Sequence, residues 1–396
     1  MTQIGLALGG GGSKGAFQMG AWQAFREMNL EFAAVAGTSI GSINGAFLAC
    51  GDSAGAEEMW QGLQMDQCLA FSDNRQVSSL DLLSLKNARV LTRELLTRHQ
   101  LNTQPMRELL GHYIHEDQVR ASRVQYGLLT AFYPNFSPQP RWIRDIPENQ
   151  LVDFIMASSR LPGLQPVRID GRSYVDGGLV DRVPISMLKD QGFRRIVAVD
   201  LGKHAAIRSP LLDNIQLTFI HDGQDLGGTL DITPSQLQRN WRLGYLDTLK
   251  AFDRLSGEFY TFESAEWRLL TQRYGLIHVR GLEQAAIAYN LDRGLIYPAE
   301  DFVRQIQTRR QEAQREYESR RKALKIDHKF RAILNGQLKV LNLLPPHRLA
   351  FLMELTAHAK QNGSLQKIPM HLFRNLDLAA QALCKLDEGN SSGDLD

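Results

Sequence analysis

The sequence predicts an α/β layer fold with a parallel sheet, and its N-terminal residues carry the clearest evidence. Two short apolar runs, residues 4–9 and 32–37, have the length and composition of buried strands. Each run is followed by a helical pattern, which begins near Gly15 after the first run and near Ser42 after the second. Strands that alternate with helices in this way are typical of parallel sheets covered by helices.

The later elements are predicted from the same kinds of pattern. They are an amphipathic helix at 104–114, strands at 124–133 and 139–144, a helix from 151 that stops at Pro162, and a buried strand at 194–202. Asp170 and Gly171, placed between apolar residues, are the signal of a two-residue hairpin turn.

Composition and charge narrow the class of protein. The chain has 396 residues, 43% of them hydrophobic and 22% charged, and its net charge of +2 gives no reason to expect a nucleic-acid partner. Cys50, Cys68 and Cys384 lie too far apart for a zinc knuckle or a disulfide framework, which fits a reducing compartment.

No apolar run approaches the ~18–20 residues of a membrane span, and no signal-peptide pattern is present, so we expect a cytoplasmic protein. No carboxylates have the spacing of a metal loop, and we expect neither a metal nor a cofactor.

A run of four glycines, Gly9 to Gly12, lies between the first strand and the first helix. Glycine costs roughly 0.5–1 kcal/mol per position in regular structure relative to alanine, so the run indicates a close approach to the backbone or N–H groups aimed at an anion. Gly10, Gly12 and Gly15 satisfy the fingerprint G-x-G-x-x-G of dinucleotide-binding domains. That fingerprint also requires an acidic residue near the end of the second strand, where this chain has none. A dinucleotide-binding module stays open as an alternative.

A second motif, Gly37-Thr38-Ser39-Ile40-Gly41, follows the second strand. G-x-S-x-G at a strand-to-helix junction is the pattern of a nucleophile elbow, in which a tight turn exposes the serine hydroxyl. A serine that only caps the helix N-terminus fits the same letters. The two glycine motifs together favour the nucleophile, because neighbouring parallel strands would bring the glycine run beside Ser39. N–H groups of the run and of Ile40 would then face the oxyanion of an ester under attack.

A serine nucleophile needs a base, and the sequence offers two kinds. His204 and His221 follow strands of the sheet and would complete a triad, although an ordinary surface position explains them more simply. Asp176, which precedes two glycines, is the acidic candidate. Aspartate followed by glycines is also a common turn sequence, so this segment taken alone fits both explanations.

The motifs resemble, in order and spacing, those of the patatin-like phospholipases: the glycine run, the segment around Ser39, and Asp176-Gly177-Gly178. Segments 157–167 and 182–184 also look like segments of that family, and the resemblance covers about residues 3–205. It implies a three-layer α/β/α fold with a mainly parallel central sheet.

The resemblance also implies roles for individual residues. Ser39 would be the nucleophile and Asp176 the base of a dyad without histidine, and Gly10, Gly11 and Gly12 would join Ile40 as donors to the oxyanion. The residues expected to support these motifs are Lys14, Gly15, Gly37, Gly41, Gly177 and Gly178. One departure is Asp181, where the family usually has asparagine. A carboxylate there would raise the pKa of one of the two aspartates if it faced inward.

The activity implied by the resemblance is hydrolysis of a phospholipid or another acyl lipid through an acyl-Ser39 intermediate, with peripheral membrane contact. An acyltransferase on the same dyad is the alternative enzyme. The aromatic residues of 131–143 would suit a membrane interface, although packing of a β-hairpin explains them more simply.

Three parts of the chain are expected from these patterns. A patatin-like catalytic domain spans 1–255, a mainly helical region spans 256–385, and a disordered acidic tail spans 386–396. Within the helical region, residues 304–331 hold ten Lys/Arg against four Asp/Glu, which suits either solvent or anionic lipid headgroups.

Overall fold

The computed structural model describes residues 3–68, 102–160, 164, 166–202, 213–224, 226–324, 350, 353–354, 356–357 and 370–391. The chain forms two compact units, Met1–Phe252 and Asp253–Asp396, which pack around separate apolar cores. No helix in the described part of the chain combines the length and the apolar composition that a membrane span requires.

The N-terminal unit is built on one eight-stranded sheet. Its strands are β1 Ile4–Leu8, β2 Ala34–Thr38, β3 Gln125–Phe132, β4 Pro138–Trp142, β5 Val167–Ile169, β6 Arg172–Asp176, β7 Arg195–Val199 and β8 Gln216–Ile220. Their order is β5-β6-β3-β2-β1-β7-β8, with β4 paired to β3. The pairs β1–β2, β1–β7, β2–β3 and β7–β8 are parallel, and the pairs that involve β4, β5 or β6 are antiparallel. The expected α/β class with a mainly parallel sheet is confirmed.

Helices cover both faces of this sheet. They are α1 Ala16–Glu27, α2 Ile40–Cys50, α3 Ser53–Gly62, α4 Met65–Cys68, α5 Gln104–Tyr113, α6 Glu116–Ala121, α7 Leu151–Ser158, α8 Ile185–Asp190 and α9 Pro234–Ala251. Successive side chains of a strand point to opposite faces of the sheet. Neighbouring residues of β1 therefore contact the helices on different sides. Leu6 and Leu8 belong to the large core cluster with α1, α2 and α9, whereas Ala7 belongs to a smaller cluster with α8.

The hairpin between β5 and β6 turns where the sequence predicts it. Asp170 and Gly171 have φ angles of 50° and 74°, as a two-residue turn with two left-handed positions requires. This hairpin lets β6 run antiparallel to β3 and return Asp176 to the sheet.

Helices α1 and α9 cross in close contact through two glycines. A Cβ on Gly20 would lie 1.8 Å from the carbonyl oxygen of Trp241, and a Cβ on Gly244 would lie 1.9 Å from that of Phe17. The last helix of the N-terminal unit therefore fixes the helix that directly follows the glycine run.

The C-terminal unit is mainly helical. Its helices are α10 Ser264–Tyr274, α11 Leu276–Ala288, α12 Ala299–Leu324 and α13 Met370–Ser391. Helix α13 continues into the segment predicted as a disordered tail, because Leu386 is buried and Asp387 pairs with Arg310 at 2.7 Å. Residues 325–331 of the basic stretch and 392–396 of the tail lie outside the described residues.

Replacing Gly244 by alanine should destabilise the N-terminal unit by about 1–3 kcal/mol, because the added methyl group cannot fit against Phe17 without moving α1 from α9. The matched control is Gly111→Ala in α5, where a Cβ would meet nothing within 4 Å. That change should leave stability unchanged or raise it by roughly 0.5–1 kcal/mol. Urea unfolding of both variants measures the difference, and equal midpoints would contradict the described helix contact.

Candidate active site

Strand β3 brings the two predicted catalytic residues together. Thr38, at the end of β2, pairs with Leu129, and Asp176, at the end of β6, pairs with the next residue of β3, Thr130. Ser39 follows Thr38 directly, so the ends of β2 and β6 meet on one template strand. The serine and the aspartate are thus neighbours although they lie far apart in the sequence.

Ser39 lies on a strained turn between β2 and α2. Its φ of 54° and ψ of −126° are rare for a residue with a side chain, as expected of a nucleophile elbow. The flanking glycines are required by close approach: a Cβ on Gly37 would lie 2.1 Å from the Gly41 carbonyl oxygen, and a Cβ on Gly41 would lie 2.2 Å from the Leu8 carbonyl oxygen. Helix α2 begins at the next residue, Ile40, with its positive end behind the serine.

Asp176 is buried and hydrogen-bonded on two sides. Its carboxylate accepts the Gly178 N–H at 2.7 Å, and the Ser39 side chain lies near enough to favour the charged carboxylate. Its own N–H donates to the Arg160 carbonyl oxygen at 2.9 Å. Burial raises the pKa of Asp176 above its ordinary value, and the hydrogen bond from Gly178 and the nearby Ser39 side chain offset part of that rise. The aspartate is therefore both a turn residue and a neighbour of Ser39.

The second carboxylate, Asp181, does not cause this shift. Its carboxylate accepts the Ser186 hydroxyl at 3.1 Å, and its carbonyl oxygen accepts the Thr38 hydroxyl at 3.3 Å. Burial raises the pKa of Asp176, whereas Gly178 and Ser39 lower it, and Asp181 is not among these causes. The rise in pKa that a second inward-facing carboxylate would cause is therefore not seen at Asp176.

Of the two histidines considered as bases, His221 is within the described residues and His204 is not. His221 follows β8, which lies three strands from β2 in the sheet, or ~14 Å at the usual strand spacing. Its ring packs against Phe219, with ring centroids 5.2 Å apart.

The glycine run lies beside Ser39, as its predicted role requires. A Cβ on Gly10 would lie 3.2 Å from the Ser39 Cβ. The expectation that Gly10 supplies an oxyanion donor is wrong in this structure, because its N–H donates to the Arg182 carbonyl oxygen at 3.0 Å. Among the described residues no acceptor takes the N–H groups of Gly11, Gly12 or Ile40. These three groups are the donors available to an oxyanion.

The other motif residues surround the same point. A Cβ on Gly15 would lie 2.4 Å from Ile40 Cγ1, and one on Gly177 would lie 2.2 Å from the Leu129 carbonyl oxygen. Lys14 lies in the short 3-10 helix Gly12–Gly15, and within the described ranges its ammonium makes no ion pair. The two glycines thus allow their segments to pack closely against Ile40 and Leu129. Lys14 has no observed partner in the described part of the site.

A buried amide network that the motifs did not predict holds both ends of the loop 9–15, which contains the glycine run. Gln18 donates to the Gly9 carbonyl oxygen at 2.7 Å, and Asn44 donates to the Gly15 carbonyl oxygen at 3.0 Å. Asn44 also donates to Gln18 at 2.9 Å and accepts the Trp60 indole N–H at 3.0 Å. These bonds fix the carbonyl groups of Gly9 and Gly15. The sequence signal was the presence of Asn44 on an otherwise apolar helix.

Ser158 was also missed as a site residue. Its hydroxyl accepts the Ser39 N–H at 2.9 Å and donates to the Leu129 carbonyl oxygen at 2.7 Å. The side chain is buried at the end of α7. Ser158 therefore connects the strained turn to β3, and its hydroxyl oxygen is the acceptor of the Ser39 N–H.

Ser158→Ala should leave the buried Ser39 N–H without an acceptor, which costs about 1–3 kcal/mol and loosens the elbow. We expect lower stability and at least ~10-fold slower ester hydrolysis. The neighbouring change Ser159→Ala is the matched control, because the Ser159 hydroxyl is buried with no hydrogen-bond partner in the described part of the chain. Unfolding and hydrolysis assays on both variants test the contact; equal behaviour would argue against it.

Fold and site together define a class: an α/β domain that presents a serine on a nucleophile elbow beside a buried aspartate. Residues 6–189 match the family model described as patatin-like phospholipase. This part of the chain belongs to the patatin-like phospholipase family.

Curated relatives match about half of the chain. Lysophospholipase NTE1 of Cryptococcus neoformans var. neoformans serotype D is 26% identical over 209 residues, which cover 50% of this chain and 11% of that protein. The patatin-like phospholipase domain-containing protein ZK370.4 of Caenorhabditis elegans is 30% identical over 206 residues, or 50% of this chain and 13% of that protein. This chain therefore matches only about a tenth of the length of these relatives. Among solved structures, VipD from Legionella pneumophila aligns over 96% of this chain and 88% of that chain, at 15% identity and a TM-score of 0.42.

Proposed function

We propose that this protein is a lipid acyl hydrolase in which Ser39 is the nucleophile and Asp176 is the base. The strand register that places the Ser39 turn beside the buried Asp176 is the observation that carries the proposal. Burial disfavours the charged carboxylate, and so strengthens its tendency to take a proton from the serine. Family membership of residues 6–189 supports the same activity.

In the proposed reaction, Asp176 takes the Ser39 hydroxyl proton while Oγ attacks the ester carbonyl carbon. The negative charge on the carbonyl oxygen is stabilised by the N–H groups of Gly11, Gly12 and Ile40, each such donor typically worth ~3–4 kcal/mol. Collapse breaks the ester bond, and the leaving alcohol takes the proton from Asp176. Water then attacks the acyl-Ser39 ester with Asp176 again as base, which releases the fatty acid and restores the serine.

The proposed substrates are phospholipids and lysophospholipids. The family description and the lysophospholipase names of the relatives support this class, although those relatives are much longer proteins. An acyltransferase on the same dyad would differ only in the last step, where an alcohol replaces water. Product analysis with an added alcohol acceptor separates the two: free fatty acid as the main product supports the hydrolase.

Asp176→Asn and Ser39→Ala should each lower hydrolysis of a short-chain acyl ester by ~10²-fold or more, since each removes one member of the dyad. Asp176→Asn should also be at least as stable as the parent, because it removes a charge that burial disfavours. Asp181→Asn is the matched control on the same loop and should keep activity.

A histidine-based triad makes a different prediction for the same assay. His204→Ala combined with His221→Ala should keep activity if Asp176 is the base. Loss of hydrolysis in this double variant with an intact fold, or retention in Ser39→Ala, would overturn the dyad.

The pH dependence of kcat/KM gives an independent test. Asp176 acts as a base only when it is deprotonated, so activity should fall as the pH drops through its pKa. Because burial raises that pKa, the acidic limb should lie above the ordinary aspartate value of about 3.9. A limb at or below that value would contradict the burial argument. A limb near 6.5 that disappears in His221→Ala would point to histidine instead.

A further inference from the structure

The exposed apolar side chains of the N-terminal unit lie in connecting segments on the side of the sheet that carries Ser39. In the part of this unit that the structure describes, the large exposed ones are Tyr133 at 55%, Phe136 at 45%, Leu179 at 47% and Leu230 at 41% exposure. We call these four residues the apolar rim. Each is in a connecting segment near the edge of the sheet where Ser39 emerges.

Two members of the apolar rim directly flank the site. Leu179 ends the 3-10 helix that follows Asp176, next to Gly178. Leu230 adjoins Thr229, whose carbonyl oxygen accepts the Ser13 N–H at 2.9 Å and would be 2.2 Å from a Cβ on Gly12. One apolar residue therefore lies beside the aspartate loop and another beside the glycine run.

The aromatic members reach beyond the level of the serine. At ~3.3 Å per residue, Tyr133 lies ~13 Å further along the line of β3 than Leu129, the partner of Thr38. The backbone hydrogen bonding between β3 and β6 continues to Tyr133, whose N–H donates to the Ser173 carbonyl oxygen at 3.0 Å. The aromatic residues of the segment divide by position: Trp142 packs in the core, whereas Tyr133 and Phe136 at the tip are exposed. Core packing therefore explains Trp142, whereas Tyr133 and Phe136 suit a membrane interface.

The charge around these hairpins is mainly positive. Arg168 and Arg172 are exposed on the β5–β6 hairpin, where Asp170 is the exposed acidic residue, and Arg141 is half-exposed on β4. The Arg172 guanidinium lies 5.3 Å from the centre of the Phe132 ring, at the base of the aromatic tip. Aromatic side chains with arginine beside them suit the boundary between acyl chains and phosphate headgroups.

We propose that the apolar rim docks the N-terminal unit onto the surface of a lipid bilayer, with Tyr133 and Phe136 inserted and Ser39 facing the lipid. This inference rests on the proposed function, because an acyl hydrolase for phospholipids must reach substrates that lie in a bilayer. The surface is continuous with the site on both of its sides, which would let an ester pass from the bilayer to Ser39 without crossing water. The arginines favour vesicles that contain anionic lipid.

The test uses the full chain with Tyr133→Ser and Phe136→Ser combined. Binding is measured in the Ser39→Ala background, so that vesicles are not consumed, by sedimentation with vesicles of phosphatidylcholine and phosphatidylserine. We expect the partition coefficient to fall by about tenfold or more, with an unchanged unfolding midpoint. The matched control is Leu269→Ser with Ile277→Ser, which removes two side chains of similar exposure, 55% and 64%, from the C-terminal unit. That control should bind vesicles like its parent.

Activity separates failure of the docking surface from failure of the proposed function. With Ser39 present, the rim variant should show a lower ratio of vesicle hydrolysis to hydrolysis of a soluble monomeric ester. Vesicle binding equal to that of the parent, or equal losses in the rim variant and the control, would overturn the docking surface. A change of oligomeric state without a change in vesicle binding would assign the rim to protein contact instead. A parent that cleaves neither substrate would overturn the proposed function, whatever the binding result.

Discussion

The backbone of β3 at Leu129 and Thr130 is the constraint on which the site depends. Consecutive residues of this strand pair with Thr38 and Asp176, so the register of one strand sets the distance between Ser39 and its aspartate. The Leu129 carbonyl oxygen also accepts the Ser158 hydroxyl, which in turn accepts the Ser39 N–H. Gly177 passes so close to the same oxygen that no side chain fits there. A shift of this register by one residue would turn the side chains to the other face and separate Ser39 from Asp176.

The proposed oxyanion side of the site is built on different elements. The loop 9–15 is held at Gly9 by Gln18 and at Gly15 by Asn44, and the Gly10 N–H donates to the Arg182 carbonyl oxygen. Because these bonds use the carbonyl groups of the loop and the N–H of Gly10, the N–H groups of Gly11 and Gly12 are left for a ligand. Preorganised donors of this kind need no rearrangement when charge develops, which a carboxylate base particularly requires. This arrangement requires a strained backbone conformation at Ser39, and the surrounding packing maintains that strain.

Much of this could be predicted from the sequence, for identifiable physical reasons. The strands at the start of the chain are continuous apolar runs, and the spacing of Gly37, Ser39 and Gly41 is dictated by steric contacts that leave a local pattern. Ser158 and Asn44 carry no such pattern, because their partners are fixed only when distant segments pack: Ser158 and Ser39 are 119 residues apart. Gly10 was assigned wrongly because the direction of an N–H depends on the loop conformation, and the bounds of β8 were not predicted because its side chains are half-exposed at the sheet edge. The helical end of α13 depends on the Arg310–Asp387 pair, another long-range contact.

The central claim is that Asp176 activates Ser39, and fluorophosphonate labelling tests it most directly. The rate of labelling would be measured for the parent, Asp176→Asn and Asp181→Asn, and the modified residue located by peptide mapping with mass spectrometry. The account predicts that the label is on Ser39, that Asp176→Asn reacts much more slowly, and that Asp181→Asn reacts like the parent. A label on another residue, or equal labelling rates in the parent and Asp176→Asn, would contradict it.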